Sequence, residues 1–184
     1  MRIVVSGTHA SGKSTLVADF CAAHPEFDHL PDPFELLDEF DDQPGASSFL
    51  TQLAASARRL EGLDPHSEVI AERGPLDFLA YLVALESLGR VRLPEEVIER
   101  AEAITRAAMQ HVDLVLLLPL NSADEIWVHP EEDLSLRAAM NDALLELGDD
   151  PELIGDRALT VELTGDRQAR LRALESAIDQ LHGR

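Results

Sequence analysis

The chain has 184 residues, 45% of them hydrophobic and 27% charged, which is the composition of a globular domain spanning residues 1–184 and excludes a disordered chain. Its 35 acidic residues against 15 basic ones give a formal net charge of -20, which excludes a nucleic-acid polymer held on a broad basic surface but leaves room for one focused phosphate site. Cys21 is the one cysteine, so no internal disulfide forms; with no signal-peptide pattern and no apolar run of bilayer length, a cytoplasmic location and no membrane partner are expected.

In chain order, residues 3–5 (IVV), ended by Gly7, read as a buried strand. From Gly12 the period turns helical, with Leu16, Val17, Phe20 and Cys21 on the core face and Pro25 beyond the end. A short strand is expected near residues 27–31, a helical turn from Phe34, a turn cluster over 41–47 and a helix over 49–63. Residues 68–72 (EVIAE) read as a second good strand. Pro75 then opens a helix with Leu76, Leu79 and Val83 inward, stopped at Gly89. Pro94 starts another helix, whose Glu95 and Glu96 suit its positive end and whose Val97, Ala101, Ile104 and Ala108 share a face. Residues 112–118 (VDLVLLL) predict a central strand and 119–133 an irregular stretch. A helix marked by Leu136, Met140, Leu144 and Leu147 ends at Gly148. Residues 159–163 form the last strand, and Asp166 caps a final helix that buries Leu171, Leu174, Ile178 and Leu181. Such alternation predicts a parallel sheet with helices on both faces, and ligands bind such sheets at the carboxyl ends of the strands.

The stretch after the first strand is Gly7-Thr8-His9-Ala10-Ser11-Gly12-Lys13-Ser14, followed by Thr15. It fits G-x-x-x-x-G-K-[ST] without mismatch, between a strand and a helix. In that pattern the glycines permit close backbone approach, successive amides bind phosphate oxygens, and the helix N-terminus adds positive potential. Lys13 would serve the β- and γ-phosphates and Ser14 would ligate Mg²⁺. Lys13 is also the only lysine in a chain with 14 arginines, and a planar guanidinium cannot replace an ammonium inside such a loop. His9 reads as a spacer.

Within phosphate-loop proteins some classes drop out. Asn121-Ser122-Ala123-Asp124 lacks the lysine of a guanine-reading element, and no other lysine exists. The strand at 112–118 runs into Pro119-Leu120 rather than the acidic pair of motor ATPases.

Residues 71–82, Ala-Glu-Arg-Gly-Pro-Leu-Asp-Phe-Leu-Ala-Tyr-Leu, together with the loop, resemble the P-loop nucleoside and nucleotide kinase-like family, especially small prokaryotic ATP-binding proteins related to nicotinamide-riboside and deoxynucleoside kinases. The likeness is specific over residues 1–20 and 68–82 and architectural elsewhere; Gly74 stands where the family usually has Ser. It implies a three-layer α/β P-loop fold with five parallel strands, a lid after the fourth strand at about 119–137, and an adenine loop at 164–167 that includes Gly165 and Asp166. By the same resemblance Glu72 helps hold Mg²⁺, and Arg73 steers the acceptor and the transferring phosphoryl group. Asp32, before Pro33, takes the place of an acceptor-binding Glu, with a plain turn residue as the competing reading. The lid of such kinases carries several arginines, whereas residues 119–150 hold only Arg137.

Phe34, Phe78, Tyr81 and Trp127 are candidates for stacking on a substrate ring, although aromatics are more often core. Gln52 sits where nucleoside kinases read a base, and Glu35 where some relatives carry Arg. The expected activity is transfer of the γ-phosphoryl group of Mg²⁺·ATP to a small acceptor, a nucleoside or nucleotide. Arg58 and Arg59 are adjacent on a helix and cannot both face the pocket, so a neutral hydroxyl acceptor is preferred to a monophosphate. The alternative is an ATP-binding regulatory protein with slow hydrolysis that works through a partner. A homodimer is compatible with either.

Overall fold

The computed structural model describes residues 1–33, 45–121 and 133–183. The elements run β1 (Arg2–Ser6), α1 (Lys13–Ala23), β2 (Asp28–Leu30), α2 (Ala46–Glu61), β3 (Val69–Glu72), α3 (Pro75–Ser87), α4 (Glu95–Met109), β4 (Leu114–Leu117), α5 (Leu134–Gly148), α6 (Pro151–Ile154), β5 (Leu159–Glu162) and α7 (Arg167–His182). All pairings are parallel, in the order β2-β3-β1-β4-β5.

Alternation along the strands builds two cores. Val4, Ala71, Val115 and Leu117 face a layer made of α2, α3, α4, α5 and α6. Ile3, Val5, Ile70, Leu114 and Leu116 face the opposite way, onto α1 and α7. Both faces are therefore dry, which is why the central strands are apolar throughout. No described helix is long and apolar enough to cross a membrane.

Several sequence expectations need correction. Ala46 and Ser47 open α2 instead of belonging to a turn cluster, while residues 41–44 and the turn at Phe34 lie outside the described residues. The four-residue α6 was not foreseen: its Pro151 sits in the first turn, and the Asp150 carboxylate caps it by accepting the Glu152 N–H at 2.8 Å. The helix α5 starts at Leu134, two residues before the first expected apolar position, because Asp133 accepts the Leu136 N–H at 3.0 Å and so caps it. Cys21 is only partly buried at the edge of the α1/α7 core, where burial raises its thiol pKa. Phe78 is fully buried, and Tyr81 is 7% exposed and stacks on Phe49 with centroids 4.5 Å apart, so both are core residues rather than a platform for a ligand. Phe34, Glu35 and Trp127 lie outside the described residues.

The sheet order places the carboxyl end of β1 between those of β3 and β4. Val5 pairs with Glu72, and Ser6 with Leu117. Arg73 N donates to Val5 O at 3.0 Å and Leu118 N to Ser6 O at 2.9 Å, so the chain leaves β1 beside Arg73.

Candidate active site at the carboxyl end of the sheet

The loop after β1 is built by local constraint. Gly12 has φ 92°, a left-handed conformation that glycine adopts freely, and it precedes the first residue of α1. A Cβ on Gly7 would come within 2.5 Å of Ser11 Oγ, so the loop closes tightly only because residue 7 has no side chain. Ala10, with φ 49°, shares the left-handed conformation, and strain of this kind is retained where the surroundings over-determine the backbone.

Those surroundings are cationic. Arg73 Nη1 donates to Gly7 O at 3.1 Å and Lys13 Nζ to Thr8 O at 2.9 Å. Arg137 Nε donates to His9 O at 2.9 Å and its Nη2 to Ala10 O at 3.1 Å, while Arg170 Nη1 donates to Ser11 O at 2.8 Å. Each carbonyl from Gly7 to Ser11 thus accepts from a positive side chain, and the four donors come from α1, the β3–α3 turn, α5 and α7. In a trans peptide the N–H points opposite to the C=O, so fixing these carbonyls fixes the direction of the next five amides. Among the described residues the hydroxyls of Thr8 and Ser11 are buried in this loop without a hydrogen-bond partner.

Lys13 is 5% exposed. Burial lowers its pKa, Arg73 lowers it further, and Asp77, Glu72 and Asp32 oppose the shift; the result is about 7 instead of 10.5.

Ser14 is exposed at the start of α1, and its hydroxyl donates to Glu72 Oε1 at 2.5 Å. Among the described residues no three His, Cys, Asp or Glu side chains gather around a common point. A magnesium ion bound with a nucleotide does not need such a cage: it takes one or two protein oxygens and completes its shell with phosphate and water. The Ser14 hydroxyl and the Glu72 carboxylate fit that donor set.

Arg73 has φ 64°. Its Nε donates to Asp32 Oδ2 at 2.6 Å, its Nη1 lies 3.7 Å from Asp77 Oδ1, and its guanidinium sits 5.6 Å from the Tyr81 ring centroid. Burial would lower its pKa, but Tyr81, Asp32 and Asp77 outweigh it, so the charge is held firmly. Gly74, the departure from the family pattern, has a reason here: a Cβ would press on Val4 Cγ1 at 2.8 Å.

The structure thus brings Lys13, Ser14, Asp32, Glu72, Arg73 and Arg137 to one end of the sheet. Thr15 is exposed in the first turn of α1. Gly165 (φ 90°) and Asp166 lie at the β5–α7 junction of the same end, where Asp166 caps α7 by accepting the Ala169 N–H at 2.8 Å. Other candidates fall elsewhere. Arg157 pairs with Asp113 at the amino end of β4, and Arg167 pairs with Asp19 on the α1–α7 surface. Arg58 is exposed, while Arg59 donates to Pro31 O at 3.0 Å, beside Asp32. Gln52 is buried on α2.

Two residues escaped sequence reasoning. Asp77, 0% exposed, accepts from Ser6 Oγ at 2.7 Å, Gly7 N at 2.9 Å and Gly74 N at 2.9 Å, and so ties the start of the loop to the β3–α3 turn. Its signal was an acid three residues after the residue preceding Pro75, the N3 position that reaches back to cap a helix. Arg170 is 6% exposed on α7. Its signal was an arginine four residues before Leu174 on the apolar stripe of that helix.

No protein-family model matches this sequence, and no curated protein matches it. Solved structures do. A deoxyadenosine kinase from M. mycoides with the products dCMP and dCDP bound aligns at TM-score 0.72 and 14% identity, covering 98% of this chain and 100% of that one. The same kinase with dATP bound aligns at TM-score 0.67 and 13% identity, covering 97% and 99%. A thymidylate kinase from Candida albicans aligns at TM-score 0.66 and 16% identity, covering 97% and 91%. The chain therefore has the fold of the P-loop nucleoside and nucleotide kinases, and at these identities the likeness speaks for the fold alone.

Proposed function

We propose that this protein transfers the γ-phosphoryl group of Mg²⁺·ATP to the hydroxyl of a small acceptor, a nucleoside in preference to a nucleotide. The observation that supports it is the meeting, at one end of the sheet, of the phosphate loop with Lys13, the Ser14–Glu72 pair and the Asp32–Arg73 pair. The related folds include kinases with deoxynucleotides bound, which agrees with this acceptor class.

Phosphoryl transfer asks the protein mainly for positioning and charge. The amides of residues 8–14 and the Lys13 ammonium bind the phosphate chain. Ser14 and Glu72 would hold Mg²⁺, which when bound with ATP supplies positive charge to the phosphate oxygens. Residues 164–167, with Gly165 and Asp166, would border the adenine. Asp32 would accept the proton of the acceptor hydroxyl, whose oxygen forms a bond to the γ-phosphorus as the bond from that phosphorus to the β–γ bridging oxygen breaks and ADP leaves. Arg73, held against Asp32, would neutralise the phosphoryl group in transit. A nucleoside needs only this carboxylate and this guanidinium, whereas a monophosphate would need further arginines near Asp32, where Arg59 is already hydrogen-bonded to Pro31 O.

A second reading, an ATP-binding regulatory protein with slow hydrolysis, draws on Arg137. In a lid-side segment with no other arginine, its guanidinium is engaged with loop carbonyls. The test is a phosphorylation screen with ATP and Mg²⁺ over nucleosides, nucleotides and nucleoside-like cofactors, against an acceptor-free control. The proposal expects one nucleoside to raise ADP release well above the control. Slow ADP release that no acceptor changes would favour the regulatory reading.

A further inference from the structure

We propose that Arg170, on the last helix, is a positioning residue for the phosphate loop: by holding the Ser11 carbonyl it aims the Gly12 amide at a phosphate ligand. The inference rests on reading residues 7–14 as a phosphate site.

Arg170 belongs to the stripe of α7 that also buries Leu174, Ala177 and Ile178 against the sheet. A leucine there would pack α7 at lower cost, because a buried guanidinium gives up its hydration. One compensation is the hydrogen bond from Nη1 to Ser11 O at 2.8 Å, which spans 159 residues of sequence.

Its target is the loop peptide most in need of control. Flipping a peptide changes ψ of one residue and φ of the next, and side chains normally resist the positive-φ partner of such a flip. Between Ser11 and Gly12 that resistance is missing, since glycine populates both signs of φ about equally. The same freedom that lets Gly12 sit at φ 92° also lets the preceding peptide turn over. A flip would put the Ser11 carbonyl where the Gly12 N–H should point, with its negative end toward a phosphate. All peptides here are trans, so a cation fixed on the Ser11 oxygen holds the N–H on the opposite side. Arg170 is itself steady: Asp166 caps its helix, and Arg170 N donates to Asp166 O at 3.0 Å.

The experiment measures binding of inorganic tripolyphosphate and of Mg²⁺·ATP to the full chain by calorimetry, for wild type, Arg170→Met, Arg170→Gln and Arg170→Lys, with unfolding midpoints recorded alongside. Arg170→Met should weaken both ligands by about tenfold or more, the scale of one hydrogen bond to a charged group, while Arg170→Lys keeps a cation on the carbonyl and recovers most of the loss. Amide exchange at Gly12 in the unliganded protein should quicken in Arg170→Met. If Arg170→Met does not fold, Arg170→Gln, whose neutral amide is too short to reach the Ser11 carbonyl as the guanidinium does, decides alone. Wild-type affinity for tripolyphosphate in a folded neutral variant would overturn the proposal. So would a loss that Arg170→Lys fails to recover while all midpoints fall together, which would assign Arg170 to packing. A wild-type chain that binds neither ligand would instead remove the phosphate-site reading, and this inference with it.

Discussion

At the amino end of β1, Arg2 N donates to Asp113 Oδ2 at 2.7 Å, the Arg2 guanidinium lies 3.6 Å from the same carboxylate, and Arg157 pairs with it from outside. At the carboxyl end, Asp32, Arg73 and Asp77 form a cluster of the same side-chain types. The backbone beneath them differs. None of Arg2, Asp113 and Arg157 has a positive φ, whereas the carboxyl end holds Ala10 and Arg73 at positive φ and a buried lysine whose charge is disfavoured. Paired charges by themselves therefore do not mark a site. What sets the carboxyl end apart is positive-φ backbone at Ala10 and Arg73 together with a buried lysine whose charge burial disfavours.

The largest break in this contrast should come from Lys13→Ala. Removing its charged hydrogen bonds should weaken ATP binding by about 10- to 100-fold and abolish turnover. Its unliganded unfolding midpoint at neutral pH should not fall, since a buried ammonium with a lowered pKa penalises the folded state. Unaltered ATP affinity and turnover would remove the distinction between the two ends. Next is Arg137→Ala: if the guanidinium moves from the loop carbonyls to the transferring phosphoryl group, kcat drops by about 10³-fold, as for other arginines that stabilise this transition state. A change confined to KM would leave Arg137 as a support of the loop.

Asp32→Asn should lower kcat by about 10²-fold, the usual yield of a general base, with ATP affinity within a factor of about two. Full activity in this variant, with a nucleoside monophosphate as the best acceptor, would show that the Asp32–Arg73 pair is no more catalytic than the pair at the other end.

The Lys13 pKa gives a subtler test. In the free protein the Lys13 amine is about half deprotonated near pH 7, while a bound phosphate would favour the charged form. ATP affinity should therefore fall as pH rises from 7.5 to 9, by up to about tenfold per unit, with proton uptake on binding. Calorimetry in buffers of different ionisation enthalpy reads that uptake; proton-neutral binding at pH 8.5 would mean the ammonium is already charged. For stability the sign is opposite: the penalty is complete below pH 7 and fades between 7 and 10.5.

The smallest effect belongs to the amino end. Burial favours the neutral form of Asp113, but the Arg2 N–H and Arg157 outweigh it and lower its pKa. Its contribution is present above the ordinary carboxylate range and is lost as pH falls below it. Asp113→Asn should cost about 1 kcal/mol or less at pH 7 and leave ATP binding unchanged. A loss of ATP affinity there would mean that the two ends are coupled.

Some of this protein is written locally. The loop pattern of residues 7–14 needs two glycines, one lysine and one serine within eight residues, between a strand and a helix, and each requirement is met by neighbours in sequence. The strand–helix alternation is equally local, because period 2 and period 3.6 are read within a few turns. Glu72 and Arg73 stand where an apolar strand stops, and it was the resemblance to the kinase-like family over residues 68–82 that singled them out. The rest depended on the sheet order. With β3 lying between β1 and β2, residue 73 falls beside both residue 7 and residue 32, and no spacing rule relates 32 to 73. Asp77 was only one residue of the kinase-like stretch 71–82, and its tie to the loop was decided when β1 came within reach of its carboxylate. For Phe78 and Tyr81 the sequence left core and ligand platform both open, with core the commoner outcome, and α2 and α5 decided for core by covering the helix that carries them; α3 is buried on nearly every side, so no period could show which face was free. Arg137 and Arg170 stand on helices whose own sequences only say that they pack. That both guanidinium groups end on the carbonyls of one loop was decided when α5 and α7 packed on opposite faces of the sheet and met at the end of β1, because contacts between distant parts of a chain are set by how its layers stack.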